Sequence, residues 1–431
     1  MLLRYSAPWA SALAILSLQA GCLSVADNSG GSSPSDSAVA GGQGVMDGPL
    51  QAGSSAVPSA CSPSAYALRA GGVNALALER LGQPDTDASP KFVYAANQNS
   101  HDVSTYAVNA SGSLTAIGAP VSVGKYPEAI ALLPDGAGLF VANHGSNTVS
   151  GFKVDPVTGG LTSTGPVIAT AATGPIAILV HPGGHFVYVG SDDATSWSPN
   201  MVTAYEVDVA TDALTVVGAS NTDGAGLVAM SMDPSGRFLY TANALSDDVS
   251  VFSINPCGGA LSKVGANVAS AFPVSLAIDP AGKFLYAAAG GSEPSIQTFG
   301  IDPSSGALEK IQELKGVSLP WGLKALQLDG TGKFLFVVTV GHAGASSVSP
   351  FQVDPRTGIL SAVPGSSVAA GTGSVPIAID QSGRFAYIGN FASNDISAYS
   401  LDRSTGTLTT IGTFPAGTAP GALAISAGLA F

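Results

Sequence analysis

Charged side chains are few. Lys, Arg, Asp and Glu together make up 10% of the 431 residues, against roughly 25% in ordinary globular domains. That excludes a helix-rich protein kept soluble by Lys/Glu faces, and the 45% hydrophobic content excludes a highly charged disordered chain. Basic residues are the rarer sign, 16 against 29 acidic, for a net charge of −13. Nucleic-acid binding and attraction to an anionic lipid surface both need clustered Lys/Arg, so neither is expected. Histidine numbers five and cysteine three, and none stands in a metal-ligand spacing; no metal and no cofactor is expected. Helical periodicity is absent, and no apolar run is long enough to cross a bilayer comfortably as a helix. Glycine (54) and proline (28) are abundant instead, without the every-third-residue glycine of collagen, which marks a chain full of turns.

The first residues read as a processing signal. Arg4 precedes a twelve-residue apolar run, Ala7 to Leu18, and Gln19, Ala20 and Gly21 lead to Cys22. This resembles a bacterial lipoprotein signal, residues 1–21, in which Cys22 carries lipid and begins the mature chain. The leucine of that pattern sits one place early, at Leu18, and an ordinary secretory signal cut elsewhere is the alternative. Leu23 after the cysteine resembles lipoproteins that are not retained at the inner membrane, so the outer membrane or cell surface is expected, with a periplasmic or secreted chain as the alternative. Residues 22–64 are rich in Ser, Gly, Ala and Pro and hold no basic residue. They cannot bury enough apolar area to offset their ordering entropy, and they form a flexible stalk. With Cys22 lipidated, Cys61 and Cys257 remain as an even pair in an oxidising compartment; they form a bridge or stay as two free thiols.

A repeat of about 49 residues fills 91–431. Its signature is an aromatic strand, seen as FVYAAN at Phe92, GLFVAN at Gly138, FVYVGS at Phe186, FLYTAN at Phe238, FLYAAA at Phe284, FLFVVT at Phe334 and FAYIGN at Phe385. Each copy has a short apolar strand, a turn such as Asp279-Pro-Ala-Gly282, the aromatic strand, an alternating strand such as Asp248 to Ile254, a second turn such as Asp302-Pro-Ser-Ser-Gly306, and a last strand opening at leucine. Proline presets φ, aspartate accepts from turn amides, and glycine takes φ > 0. Seven such units predict an all-β, seven-bladed β-propeller of four-stranded antiparallel blades. The first copy lacks an innermost strand, and the C-terminal segment from Pro420 to Ser426 supplies it, closing the ring. Pro350 marks a fault in the sixth unit, expected to be a bulge. Residues 65–90 lie outside the repeat. A monomer is expected.

This strand order puts both turn types on one face, so the loops leading into the innermost strands share the other. Those loops bring Lys125, Tyr126, Glu128, Asp223, Trp321 and Lys324, while outer loops bring His144 and Trp197. A mouth lined by Trp321, Trp197, Tyr126 and Asp223 suits a small polar ligand or glycan, or closes the channel hydrophobically. His144 and Glu128 are the acid/base pair the sequence offers: His144 as general base, Glu128 as its orienting or acid partner, and Lys125 or Lys324 near a developing oxyanion.

The segments Phe238–Asn243 with Asp233-Pro-Ser-Gly-Arg237, Asp248-Val-Ser-Val-Phe252 and Thr405-Gly-Thr-Leu408 resemble the YVTN-type seven-bladed propellers of the lactonase family. Its members include 6-phosphogluconolactonase-like and muconate-lactonising enzymes and secreted or surface proteins. The resemblance implies the fold over 92–431. Enzymatic members bring His, Arg and Glu to the mouth, but the loop before Pro175 has no histidine and none of these loops has an arginine. The sequence therefore favours a lipid-anchored binding or interaction scaffold of the cell envelope, taking a glycan, a small polar ligand or an envelope protein. A hydrolase opening a sugar or other lactone is the alternative. Replacing Cys22 with Ser is expected to release soluble protein on membrane fractionation; an unchanged distribution would count against lipidation.

Overall fold

Strands form because the repeat supplies β-branched and aromatic residues between turns that only Gly, Asp and Pro make cheaply. The computed structural model describes residues 91–192, 200–208, 210–291, 293–316, 322–341 and 344–426. The expected signal, stalk and extra-repeat segment lie outside the described residues. Seven antiparallel sheets follow, each with four strand levels. They are numbered blades 1 to 7 by their aromatic strands, Phe92–Asn97, Gly138–Asn143, Phe186–Ser191, Phe238–Asn243, Phe284–Ala289, Phe334–Val340 and Phe385–Asn390.

Blade 1 is built from both ends of the repeat region. From rim to centre it runs Leu114–Ser122, Asp102–Val108, Phe92–Asn97 and Pro420–Ile425. Val93 faces Ile425, and the Phe92 amide donates to Ser426 Oγ at 2.9 Å. The innermost strands then touch in a ring, Pro420–Ile425 meeting Pro127–Leu132 on one side and Ser374–Ile379 on the other.

The fourth level is continuous in blades 1, 3, 5 and 7 and split into two short strands in blades 2, 4 and 6. Pro350 pairs with Phe336 in unbroken register, so no bulge forms between those two strands. The irregularity lies on the other side. Opposite Pro350 the outer strand is interrupted between Leu360–Ala362 and Val368–Thr372. The continuous blades slip register at the same level, so a residue without an amide donor there forfeits no regular ladder bond.

Buried apolar side chains gather between the blades. Seven clusters form, each shared by two neighbours: Phe92, Tyr94 and Val103 of blade 1 pack with Leu139, Val141 and Phe152 of blade 2, and the closing cluster joins Tyr387 and Ile396 to Val93 and Tyr106. Each blade thus relies on both neighbours for its core.

A second contact fixes their spacing. The first aromatic side chain of one blade lies over the turn glycine of the next, as with Phe238 and Gly306: a Cβ added to Gly306 would collide with the ring. The Tyr240 hydroxyl two residues on donates to the Gly306 carbonyl at 3.0 Å. Tyr94, Tyr188, Tyr286 and Tyr387 make the same bond to Gly159, Gly259, Gly358 and Gly112. Between blades 2 and 3 the sizes are exchanged. Gly138 stands where others have Phe, and Asp212, with φ 58 and a buried side chain, stands where others have Gly.

In blades 4 to 7 the turns into the aromatic strands use a buried carboxylate to hold the first amide of the next strand, Asp233 accepting from Phe238 at 2.6 Å and Asp279 from Phe284 at 2.6 Å. In blade 3, His181 takes that position. Its Nδ1 accepts from the Gly183 amide at 2.9 Å and its Nε2 lies 3.0 Å from the Gly236 carbonyl of blade 4.

Deleting residues 420–431 is expected to expose the inner edge of Phe92–Asn97 and both flanks of the missing strand, giving insoluble or aggregated protein. A truncated chain that stays monomeric and melts as before would overturn this closure.

Candidate functional site

One backbone device repeats around the channel mouth. The residue before each innermost strand adopts the left-handed region: Gly174, Gly226, Gly322 and Gly373 in four blades, and Tyr126 (φ 50), Phe272 (φ 41) and Ala419 (φ 61) in the others. Glycine enters that region freely, whereas an aromatic residue there stores strain of roughly 1–3 kcal/mol. The surroundings hold it. The carbonyl of each of these residues accepts from an amide at or just beyond the end of the aromatic strand, His144 N to Tyr126 O at 2.9 Å and Gly290 N to Phe272 O at 2.9 Å.

One residue into each innermost strand, the register slips and leaves an extra residue in the pairing. Bulges of this kind re-aim side chains at rims and active sites. The residues so placed are Glu128, Ile176, Val228, Val274, Lys324 and Gly421 in blades 2 to 6 and 1, with Val375 and Pro376 sharing the slip in blade 7. Two of them carry charge. Glu128 and Lys324 stand three innermost strands apart by one way round the ring and four by the other, on opposite sides of the mouth.

Burial acts on both. It pushes the Glu128 carboxyl up to about 7, and it lowers the Lys324 ammonium below its usual range. A carboxyl poised near neutrality can both take and return a proton at physiological pH. Its partner is Gln98 of blade 1, whose Nε2 donates to Glu128 Oε2 at 2.5 Å across the blade boundary. Gln98 is buried and its amide bonds the Ala419 carbonyl at 2.8 Å, so it reaches Glu128 from a fixed base. Sequence reasoning missed Gln98, because it follows the repeat's asparagine at a position with no repeated residue type; in blade 2 the same position is His144.

His144 opens a short 3-10 turn, His144–Ser146. Burial lowers its pKa, which favours the neutral ring, and its Nε2 lies beside Gly174, 3.2 Å from where a Cβ would stand. Among the described residues no hydrogen bond joins it to Glu128. The two expected partners therefore line the same sector without pairing. Lys125 is exposed, and its backbone anchors the same turn through Ser146 Oγ at 3.1 Å and Gly145 N at 2.9 Å. Tyr126 is 42% exposed and packs edge-on against His101 at 5.1 Å, whose Nδ1 lies 2.7 Å from the Gln98 carbonyl. Gln98, His101, Tyr126, Glu128 and His144 thus form one polar sector at the junction of blades 1 and 2.

Asp223 is elsewhere, paired with Lys263 at 3.1 Å and mostly exposed. Trp197, Trp321, Cys22 and Cys61 lie outside the described residues. Cys257, on the opposite face in the Asn255 to Gly259 turn, is disulfide-bonded. Among the described residues no group of three or more His, Cys, Asp or Glu side chains could hold a metal ion.

Known proteins share this architecture. A family model described as lactonase, 7-bladed beta-propeller matches residues 85–176, 162–277, 228–321 and 273–375, more than half of the chain. The structure is similar to a putative 6-phosphogluconolactonase from Bacteroides uniformis, at 18% identity and TM-score 0.68 over 78% of this chain and 99% of that one. It is similar also to a periplasmic gluconolactonase from Pseudomonas aeruginosa, at 22% identity and TM-score 0.67 over 79% of this chain and 100% of that one. At these identities the solved structures bear on fold alone. No curated protein matches the chain. The family match overturns the non-catalytic scaffold that the sequence favours. Scarce arginine at the mouth, which motivated that expectation, limits the charge of a substrate and says little about whether an acid–base group is present.

The raised pKa of Glu128 makes a stability prediction. Its ordinary value is 4.5, so between about pH 4.5 and 7 the folded chain keeps a proton the unfolded chain has lost, and this carboxyl's contribution to stability declines as pH rises through that window. Glu128→Gln keeps an acceptor for Gln98 and removes the buried charge. It is expected to match wild type near pH 4 and to exceed it by on the order of 2–3 kcal/mol near pH 8 in chemical denaturation. Equal stability at both pH values would show that the carboxyl is not desolvated.

Proposed function

The chain belongs to the lactonase family of seven-bladed β-propellers, and we propose that it is a hydrolase that opens a lactone ring, with Glu128 as its acid–base group. The family match is the observation that carries this reading; Glu128 supplies the chemistry. As carboxylate it takes a proton from water, and the hydroxide so formed attacks the lactone carbonyl carbon. The carbonyl oxygen becomes an oxyanion, to which Lys125, in the loop leading into the strand of Glu128, contributes positive charge; Lys324 stands across the mouth from it. On collapse the bond to the ring oxygen breaks, and Glu128 returns its proton to that departing oxygen, leaving the hydroxy acid.

The base role assigned to His144 from sequence passes to Glu128 in this proposal. Glu128 is the group that burial brings near neutrality and that Gln98 orients. His144, held neutral, borders the same sector and positions substrate.

Export and a lipid anchor at Cys22 remain part of the proposal, supported by Arg4, the short apolar run and the small residues before the cysteine. A bridge from Cys61 to Cys257 is proposed with it. No helix among the described residues is long and apolar enough to cross a membrane.

The purified protein is expected to hydrolyse at least one member of a broad lactone panel, with kcat/KM rising as pH passes through about 7. Glu128→Gln should lower kcat by roughly 100-fold or more and His144→Ala by on the order of tenfold. Absence of turnover across the panel would reject the hydrolase reading, and a fully active Glu128→Gln would reject the role of Glu128.

A further inference from the structure

The two faces of the ring divide the cations unequally. All four described arginines serve the face opposite the mouth. Arg237 and Arg384 stack on Phe238 and Phe385 with the guanidinium 5.3 and 5.4 Å from the ring centres. Arg403 donates to the Ser382 carbonyl at 3.2 Å, and Arg356 belongs to the turn that Asp354 closes. Near the mouth, Lys263 is held by Asp223 at 3.1 Å, and Lys315 by Glu293 and Glu313 at 3.5 and 3.4 Å. Lys125 is exposed, and burial lowers the Lys324 ammonium below its usual range. A phosphoryl dianion calls for a fork of Arg donors or several ammonium groups. Here it would meet two lysines and the Glu128 carboxyl, on a chain of net charge −13.

Three of the remaining bulge positions are apolar and contiguous. Passing from Glu128 in blade 2 to Lys324 in blade 6 the register slips place Ile176, Val228 and Val274 in blades 3, 4 and 5, each partly exposed. Phe272, held at φ 41, and Leu245, 39% exposed beside Gly226, extend this arc. None of these side chains can donate to or accept from a hydroxyl. A polyhydroxylated ring bound there would lose hydrogen bonds to water without replacement.

We infer that the substrate is an uncharged lactone bearing an alkyl or aryl substituent, its ring in the polar sector of Glu128 and its substituent along the Ile176, Val228 and Val274 arc. This rests on the reading of the mouth as a lactone-hydrolase site and narrows it. It separates the chain from any preference for a sugar lactone or its phosphate.

The test compares three substrates on the full-length protein in detergent: a δ-lactone with a five-carbon alkyl side chain, glucono-δ-lactone, and glucono-δ-lactone 6-phosphate. The alkyl lactone is expected to have a kcat/KM at least about tenfold above gluconolactone and about 100-fold above the phosphate, since each added methylene in an apolar pocket contributes severalfold or more. Val228→Thr with Val274→Thr should narrow that preference by on the order of tenfold, acting through KM. Faster turnover of gluconolactone or of its phosphate overturns this inference while leaving the hydrolase reading standing. No turnover of any of the three, or of the wider panel, defeats the hydrolase reading and this inference with it.

Discussion

Everything in this molecule depends on burial between blades. A single four-stranded sheet has two apolar faces and nothing of its own to cover them, so each blade is stable only when flanked on both sides. The seven shared clusters meet that need, and the stacking of Phe on turn glycine sets how close neighbours come. A glycine is required at Gly306 twice over, by its φ of 74 and by the Phe238 ring that occupies the space of a side chain. The exchange of Gly138 and Asp212 shows the same constraint from the other side: where the ring is missing, a larger turn residue fills in.

Because the scaffold is fixed by strand and turn residues, variation is concentrated at the mouth. The left-handed residue and the register slip recur in every blade, whatever occupies them. Seven nearly equivalent positions are offered, and the chain places an acid at one, a base at another, and apolar groups at most of the rest. Chemistry thus arises from breaking the repeat's symmetry. A carboxyl at Glu128 is shifted by burial alone; with no cation moving its titration, it remains able to exchange its proton.

Much of the fold was legible in sequence because its signals are local. Asp279-Pro-Ala-Gly282 declares a turn without reference to any other blade, and Phe284, Leu285 and Tyr286 declare the strand after it. Closure was legible as well, since Pro420 to Ser426 matches the innermost strands of other units and the first unit lacks one. The site was only half legible. Glu128, Lys125 and His144 could be placed on the mouth by counting strands, but pairing Glu128 with Gln98 needs two residues on different blades, and the register slip is a property of two strands together. Pro350 illustrates the same limit: its irregular partner is the outer strand, which local reading does not reveal. The arginine shortage was read correctly as a fact and misjudged in its meaning, because the charge of a substrate and the presence of catalysis are separate questions.

Blade 1 also has a bearing on how the chain is made. Phe92 and Ser426, hydrogen-bonded in the folded protein, are 334 residues apart. At ordinary rates of synthesis, the interval between making the two ends is on the order of tens of seconds. Throughout it the inner edge of Phe92–Asn97, an apolar strand with unpaired backbone groups, waits for a partner that has not yet been produced. Any other chain with an exposed edge can reach it first, so the hazard of misassembly falls at the beginning of the repeat and ends only when the last residues arrive.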